Sequence, residues 1–393
     1  MRTTTLEEVL DEIIDHRGRT PKKLGADFTN AGVPVISAKL IRQGAIDFEN
    51  VRFVSHETWE KWMPLPLREG DVILTSEAPL GKTAFVPSND PLVLGQRLFA
   101  LRGKADVIDN AYLRYWLESE VGQAQLAGRA SGTTVLGIRQ ALLRKVEIDL
   151  PPLKVQRSVG KFLKALDDKI TANVRVLETA NELVKNLYTA IPKSSNHAIE
   201  SIGELVKKNV KPEEMDVSKA LINLEHFDSK QIWISRHAQV PEATSAKSSF
   251  LVGDVLFGKL RPYFHKVGVA PIGGYCSTDV LVVRPREDSY RGLLLAAMSA
   301  EETVAVATQN SNGTRMPRAK WADIASCAIP DPDDPKSIEL GKLMDVLIPK
   351  CNALIHENHV LARTRDELLP LLMSGRITVG EAEDAADEAA SES

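Results

Sequence analysis

The stretch Pro151–Ile191 reads PPLKVQRSVGKFLKALDDKITANVRVLETANELVKNLYTAI. Two prolines open it, which suits the start of a helix. Leu163, Leu166, Ile170, Asn173, Leu177, Ala180, Val184 and Leu187 then follow at alternating steps of three and four. That 3.5-residue period is a heptad seam, and a seam needs a partner helix to cover it. The partner lies near the other end of the chain. Met344, Leu347, Cys351, Leu354, Asn358, Leu361, Arg365, Leu368 and Leu372 repeat the alternation. Asn173 and Asn358 each place a polar residue in an apolar seam, a device that fixes register at some cost in stability. Pro349 is expected to break or kink the second helix, because proline lacks an N–H and clashes with the preceding turn.

Each helix closes a similar half of the chain. REGDVILTS at 68–76 is matched by FLVGDVLFGK at 250–259, ASGT at 130–133 by SNGT at 311–314, and IDLPP at 148–152 by AIPDP at 328–332. The offsets stay near 180 residues, so the chain is a tandem repeat of two domains. The expected elements of the first half are a helix over 6–14, strands at 33–37, 51–54, 83–86, 98–101 and 146–150, a turn feeding a buried strand within 68–76, and a helix over 112–127. The plan is α+β: a mixed domain over residues 1–150, a long helix over 151–196, a second mixed domain over 197–332 and a second long helix over 333–378. The helices are expected to pair as an antiparallel coiled coil with approximate twofold symmetry. From Val155 to Ile191 the first would reach roughly 55 Å at about 1.5 Å per residue.

Of 393 residues, 43% are hydrophobic and 26% charged, as in ordinary globular proteins. No apolar run approaches the roughly 20 residues of a membrane span, and the acidic, amphipathic start is no signal peptide. The three cysteines are far apart in sequence, so neither a disulfide framework nor a zinc knuckle is indicated; the cytoplasm is the expected compartment. The net charge is −4, and the last 13 residues alone carry six acids and no base. Residues 379–393 are therefore expected to be a disordered acidic tail. What remains is near neutral, so a polyanion would be met by local patches.

Such patches exist. Arg17, Arg19, Lys22 and Lys23 crowd the segment 16–26, and residues 121–146 hold Arg129, Arg139, Arg144 and Lys145 without an acid. Lys259, Arg261 and Lys266 stand beside Phe257, Tyr263, Phe264 and Tyr275; Arg315, Arg318 and Lys320 follow later. Lysine and arginine in such loops suit phosphates, and polar residues in the same turns, namely Ser131, Thr133, Asn312, Thr314 and Arg315, suit base edges. Lys82 belongs to LGKT at 80–83, which looks like part of a phosphate-binding loop. The glycine required four residues before the GK pair is Ser76, however, and Pro79 stiffens the segment. No catalytic or metal-binding set stands out; His356 and His359 read as a solvated helix face.

At these residues the chain resembles the specificity subunit of a Type I restriction–modification enzyme. RGRTPKK…GVPVISAKLIRQGAI, GDVLFGKLRPYFHKVGV, IDLPPLKVQRSVGKFLKALDDKI and DELLPLLMSGRI carry the resemblance, which covers nearly all of residues 1–378. It implies that 1–150 and 197–332 are target-recognition domains, each reading one half of a split sequence in double-stranded DNA. It implies that the helices space the domains and carry the modification (methyltransferase) subunits, expected to be two, with restriction and motor subunits joining them. The chain itself would be non-catalytic and bind no cofactor; S-adenosylmethionine, ATP and Mg would sit on the partners. Two other readings stand beside this one: a symmetric coiled-coil scaffold without DNA specificity, and an undetected methyltransferase or nucleotide hydrolase.

Overall fold

The computed structural model describes residues 2–42, 44–132, 135–240, 245–311 and 316–391. It is an α+β protein of two compact units, Met1–Ile170 with His359–Ser393, and Thr171–Asn358.

In the first unit, strands Leu10–Ile14, Leu98–Gly103, Val72–Thr75 and Thr83–Phe85 lie in that order in an antiparallel sheet. Val72–Thr75 is buried along its whole length because both of its faces are covered. Val72 and Leu74 join Leu113 and Trp116 in one core, whereas Ile73 joins Val35, Ile36 and Val54 in another. A smaller sheet supplies the second layer, with Val33–Ile36 antiparallel to Arg52–Val54 and parallel to Val93–Leu94. Arg2–Thr5 pairs with Glu147–Leu150 and closes the domain.

The second unit repeats this order. Gly203–Leu205, Val280–Pro285, Val255–Gly258 and Val267–Val269 form the antiparallel sheet. Lys193–Ala198 pairs with Ala328–Pro330 as the closing ribbon. Its second sheet has five strands instead of three, and keeps one parallel pair, Ala220–Ile222 against Gly274–Cys276.

The shared Gly-Asp-Val has a physical basis in both halves. Gly70 and Gly253 take φ of 81° and 83°, the left-handed conformation that turns the chain into the strand. The aspartate that follows is buried. Asp71 accepts from Arg102 Nε and Nη2 at 2.9 and 2.6 Å and from the Arg68 amide at 2.8 Å. Asp254 accepts from Arg284 Nε and Nη2, both at 2.8 Å, and from the Leu251 amide at 2.8 Å. Each is a two-pronged arginine–carboxylate pair tying the second sheet strand to the third, the geometry in which such a pair is strongest.

The long helices span Leu153–Thr189 and Pro335–Ser374. In the first unit Asp167 accepts from Arg365 Nη1 at 2.6 Å, and Val159 and Leu163 share a core with Leu368 and Leu372. In the second, Asn173 Nδ2 donates to Asn358 Oδ1 at 2.9 Å, and Leu177, Ala180 and Val184 share a core with Ile348, Cys351 and Ile355. The pairing is antiparallel in each. The two seam asparagines thus meet one another, and the buried Asn173 Nδ2 also donates to Glu357 Oε2 at 2.6 Å.

Several expectations need correction. Pro349 does not interrupt the second helix, which runs unbroken over 40 residues. Proline removes a single N–H donor, and the side chains buried on either side, Met344, Ile348, Cys351 and Ile355, hold the helix in place. Leu187 is exposed and Tyr188 buried, because beyond Val184 the helix turns its stripe to the globular core at a step of four. Leu347 and Leu354 are partly buried flanks, and Ile348 and Ile355 fill the centre. The helix expected over 6–14 is only Leu6–Val9; Leu10–Ile14 is a strand, drawn into the sheet by Leu98–Gly103. The helix expected over 112–127 is two, Asn110–Glu118 and Glu120–Gly128, because Ser119 leaves the helical conformation and caps the second by accepting from the Gly122 amide.

The acidic tail is not disordered. Val379–Ser391 is a helix. Thr378 and Glu381 cap it reciprocally: the Thr378 amide donates to Glu381 Oε2 at 2.7 Å, and the Glu381 amide to Thr378 Oγ1 at 3.3 Å. Ala382 is fully buried in the first core. The alanines favour helix strongly enough to offset the repulsion among the acids.

Around Asp167 a charged cluster ties helices to domain. Arg114, almost fully buried, donates to Asp167 Oδ2 at 2.8 Å, and Tyr115 Oη donates to the same oxygen at 2.7 Å. Burial disfavours the Asp167 carboxylate, but Arg114 and the hydrogen bonds from Arg365 and Tyr115 outweigh it and hold its pKa below the ordinary value. Asp167 thus contributes stability that is present above the unfolded carboxyl pKa of about 3.9 and is lost as pH falls through the lower folded value. Asp167→Asn should cost about 3–5 kcal/mol by leaving Arg114 short of a buried partner. The exposed Lys164–Asp168 pair should yield less than about 0.5 kcal/mol on Asp168→Asn. Urea unfolding midpoints at pH 7 check both, and equal effects would remove the cluster from this role.

Candidate nucleic-acid interface

The two sheets place equivalent backbone at equivalent ends. In the first unit the turn between Val72–Thr75 and Thr83–Phe85 crosses the segment before helix Gln140–Leu143. Glu77 bridges Gly137 there, and the Ile138 amide donates to the Ser76 carbonyl at 3.0 Å. In the second unit Leu260 bridges Arg318, and the Ala319 amide donates to the Lys259 carbonyl at 2.9 Å. A third strand enters both crossings: the Ser76 amide donates to the Arg97 carbonyl at 2.9 Å, and the Lys259 amide to the Asp279 carbonyl at 2.9 Å. Ala78 and Arg261 occupy matching positions beyond the crossings, and both have φ of 52°.

In the first unit this crossing opens a hollow of about 170 Å³ lined by Arg17, Ser76, Glu77, Ser131, Gly137, Ile138 and Arg139. Three residues singled out in the sequence, Arg17, Ser131 and Arg139, therefore come together. Arg17 is partly committed: it pairs with Asp15 at 2.7 Å, donates to the Ile138 carbonyl at 3.2 Å and lies 4.3 Å above the Phe99 ring centre. Asp15 lies one residue outside the acid-free segment, which is why composition alone made Arg17 look free. Arg19 donates to the Trp62 carbonyl at 2.6 Å and anchors its loop. The His16 imidazole is pushed below its ordinary value by burial and by Arg19, so near pH 7 it is neutral and adds no charge to this loop. Lys22, Lys82 and Arg139 have exposed side chains.

In the second unit Lys259, Arg261, Arg318 and Lys320 gather at the crossing through the main-chain bonds above. Arg261 and Lys320 are exposed, and Lys259 is half-buried. Arg318 Nε donates to Asp279 Oδ1 at 2.8 Å, which raises its pKa further. Lys266 donates to the Leu224 carbonyl at 2.6 Å and braces the fold. Thr133, Asn312, Thr314 and Arg315 lie outside the described residues. Glu77 and Arg97, which pair at 3.1 Å within this surface, went unread in the sequence, since their contact spans 20 residues and fits no motif.

Among the described residues no group of three or more His, Cys, Asp or Glu is placed to hold a metal ion, and no helix is long and apolar enough to cross a membrane. The LGKT segment is a hairpin turn. Its Gly81 and Lys82 amides donate to Thr75 O and Oγ1 at 3.0 and 2.8 Å, and Gln123 fills the space beside Gly81. A phosphate cradle needs such amides free and a helix behind them; here a strand follows. Mg-ATP should accordingly give no thermal shift with the chain alone, and Lys82→Ala should change nothing. Stoichiometric ATP binding that is lost in Lys82→Ala would overturn this reading of the turn.

Residues 1–181 match the family model of the Type I restriction modification DNA specificity domain. The Type I restriction enzyme MjaVIII specificity subunit of Methanocaldococcus jannaschii is 28% identical over 186 residues, 45% of this chain and 44% of that protein. The MjaIX specificity subunit of the same organism is 24% identical over 347 residues, 80% of this chain and 79% of that protein. The chain thus spans less than half of the first relative and about four-fifths of the second. Among solved structures, the S subunit of a Type-I restriction-modification system from M. genitalium shares the fold, with a TM-score of 0.60 at 15% identity over 94% of this chain and 95% of that one.

Proposed function

We propose that this chain, whose residues 1–181 match a Type I restriction modification DNA specificity domain, is the DNA-recognition subunit of a Type I restriction–modification enzyme. The observation that carries the reading is the repeat of one crossing in both units. The matched domain holds the Arg17–Ser131–Arg139 hollow, and the unmatched half rebuilds the same hydrogen-bonded frame with Lys259, Arg261 and Arg318. Two similar frames with different side chains suit a bipartite duplex target, one half-site per unit. Phosphate contacts position such a protein, and base contacts specify.

On this reading the chain has no catalysis of its own. Modification subunits, two by the internal duplication, would bring S-adenosylmethionine and methylate the DNA, and restriction subunits would bring ATP and Mg. The assembly would work in the cytoplasm. Exposed Arg139 and Arg261 would serve as phosphate anchors, and Ser131 as a groove contact.

The test is co-expression with the modification subunits and genome-wide mapping of the methylated sequence. A bipartite motif that vanishes without this chain is the expected result; complex formation without DNA specificity would leave a scaffold instead. Replacing residues 1–150 by the matching part of another specificity subunit should change one half-site and leave the other, and a change in both would remove the division of labour. Arg139→Ala should weaken specific and random duplexes alike and lower the slope of log affinity against log salt by about 1. A loss confined to the specific duplex would make Arg139 a base reader.

A further inference from the structure

The repeated crossing carries opposite charges in its two copies. In the first unit the third strand contributes Arg97, which pairs with Glu77 on the hairpin turn. In the second, the matching position on the third strand is Asp279, which pairs with Arg318 from the segment after the helices. The main-chain bonds are the same in both; Arg97 is replaced by Asp279, and the partner moves from the hairpin, where Leu260 matches Glu77, to the opposite side of the crossing, where Arg318 matches Gly137. A frame kept constant while its charged side chains are exchanged is what a reader of two different half-sites requires.

Glu77 itself is unusual for a surface that would meet phosphates. A carboxylate there is repelled by the backbone of DNA, so it is tolerated where it faces a hydrogen-bond donor instead. It stands in the hollow with Arg17, Ser131 and Arg139, and its side chain keeps 42% exposure. Gly137 makes room for it: a Cβ at that position would lie 3.1 Å from Glu77 Cβ and 3.3 Å from Oε2. Arg97 is held beside it by a backbone φ of 65°, a conformation that costs free energy in a non-glycine residue and collects at functional sites. The backbone of Glu77 is fixed by its bridge to Gly137.

Resting on the DNA-recognition reading above, we infer that Glu77 reads a cytosine in the half-site of the first unit, its carboxylate accepting from the N4 amino group. Arg97 orients that carboxylate. Among base edges in the major groove, cytosine offers a donor and no acceptor, the pattern a carboxylate matches. In the second unit the hairpin position that matches Glu77 holds Leu260, and the ion pair of the crossing is Arg318 with Asp279, so the two half-sites meet different side chains at one crossing.

The experiment uses the complex with the modification subunits and maps the methylated motif for wild type, Glu77→Ala and Glu77→Gln. Glu77→Ala should relax one C·G position of one half-site, lowering discrimination there by roughly 5- to 150-fold, the span of a good base contact. Glu77→Gln should move that position toward adenine, since an amide both donates and accepts. The other half-site is the internal control, because a folding defect lowers methylation of the whole motif without changing its letters. An unchanged motif in Glu77→Ala, or a relaxed position that is A·T in the wild type, overturns the assignment while the recognition function stands. A wild-type complex without a bipartite motif overturns both.

Discussion

An apolar stripe along a helix of 37 residues has to be covered, and most of this structure follows from how that is done. The stripe on Leu153–Thr189 meets two kinds of neighbour. Pro335–Ser374 covers its seam, and the globular cores cover its ends through Val159 and Tyr188. The burial of each fully covered Leu or Val contributes about 1.5–3 kcal/mol, so neither helix is an appendage to a domain that would be complete without it. Asn173 and Asn358 sit in this seam and meet at 2.9 Å. A shift of either helix by one residue would take the buried Asn173 amide away from its acceptors on the other helix, and register is fixed by that penalty.

The charged cluster at Asp167 acts on a second axis. The apolar contacts of the seam by themselves set no rotation. Arg365 from the second helix and Arg114 from Asn110–Glu118 converge on one carboxylate of the first helix. Directional hydrogen bonds to a shared acceptor fix the rotation of the helices about their own axes, which hydrophobic burial does not. Arg114 also contacts the Phe85 and Tyr115 rings, so the cluster is continuous with the sheet edge.

How much of this the sequence disclosed depended on the range of the interaction concerned. The heptad steps, the Gly-Asp-Val repeat and the place of one asparagine in each seam are local or periodic and were readable; that the two asparagines meet was not. Leu10–Ile14 was not, because its strand state comes from Leu98–Gly103 nearly 90 residues away. Ile348 and Ile355 displaced Leu347 and Leu354 from the centre because that helix also faces a globular core, which widens its apolar arc. The tail was misread because composition argued for repulsion, while a single capping box and one buried alanine decided for helix. At the interface, basic residues were legible as a class. Their commitments were not: Arg19 to Trp62 and Lys266 to Leu224 are tertiary contacts that no spacing encodes, and Arg17 pairs locally with Asp15, just outside the acid-free run.

The Asp71–Arg102 and Asp254–Arg284 pairs lodge the rigidity of each domain in the interior of its sheet, several residues from the turn each strand feeds. Mutational tolerance is therefore unevenly distributed. Glu77, Arg139, Arg261 and Lys320 lie outside the buried cores, so replacements there leave the packing of each sheet intact. The turns can therefore change their exposed side chains while the buried arginine–carboxylate pairs keep each domain foldable.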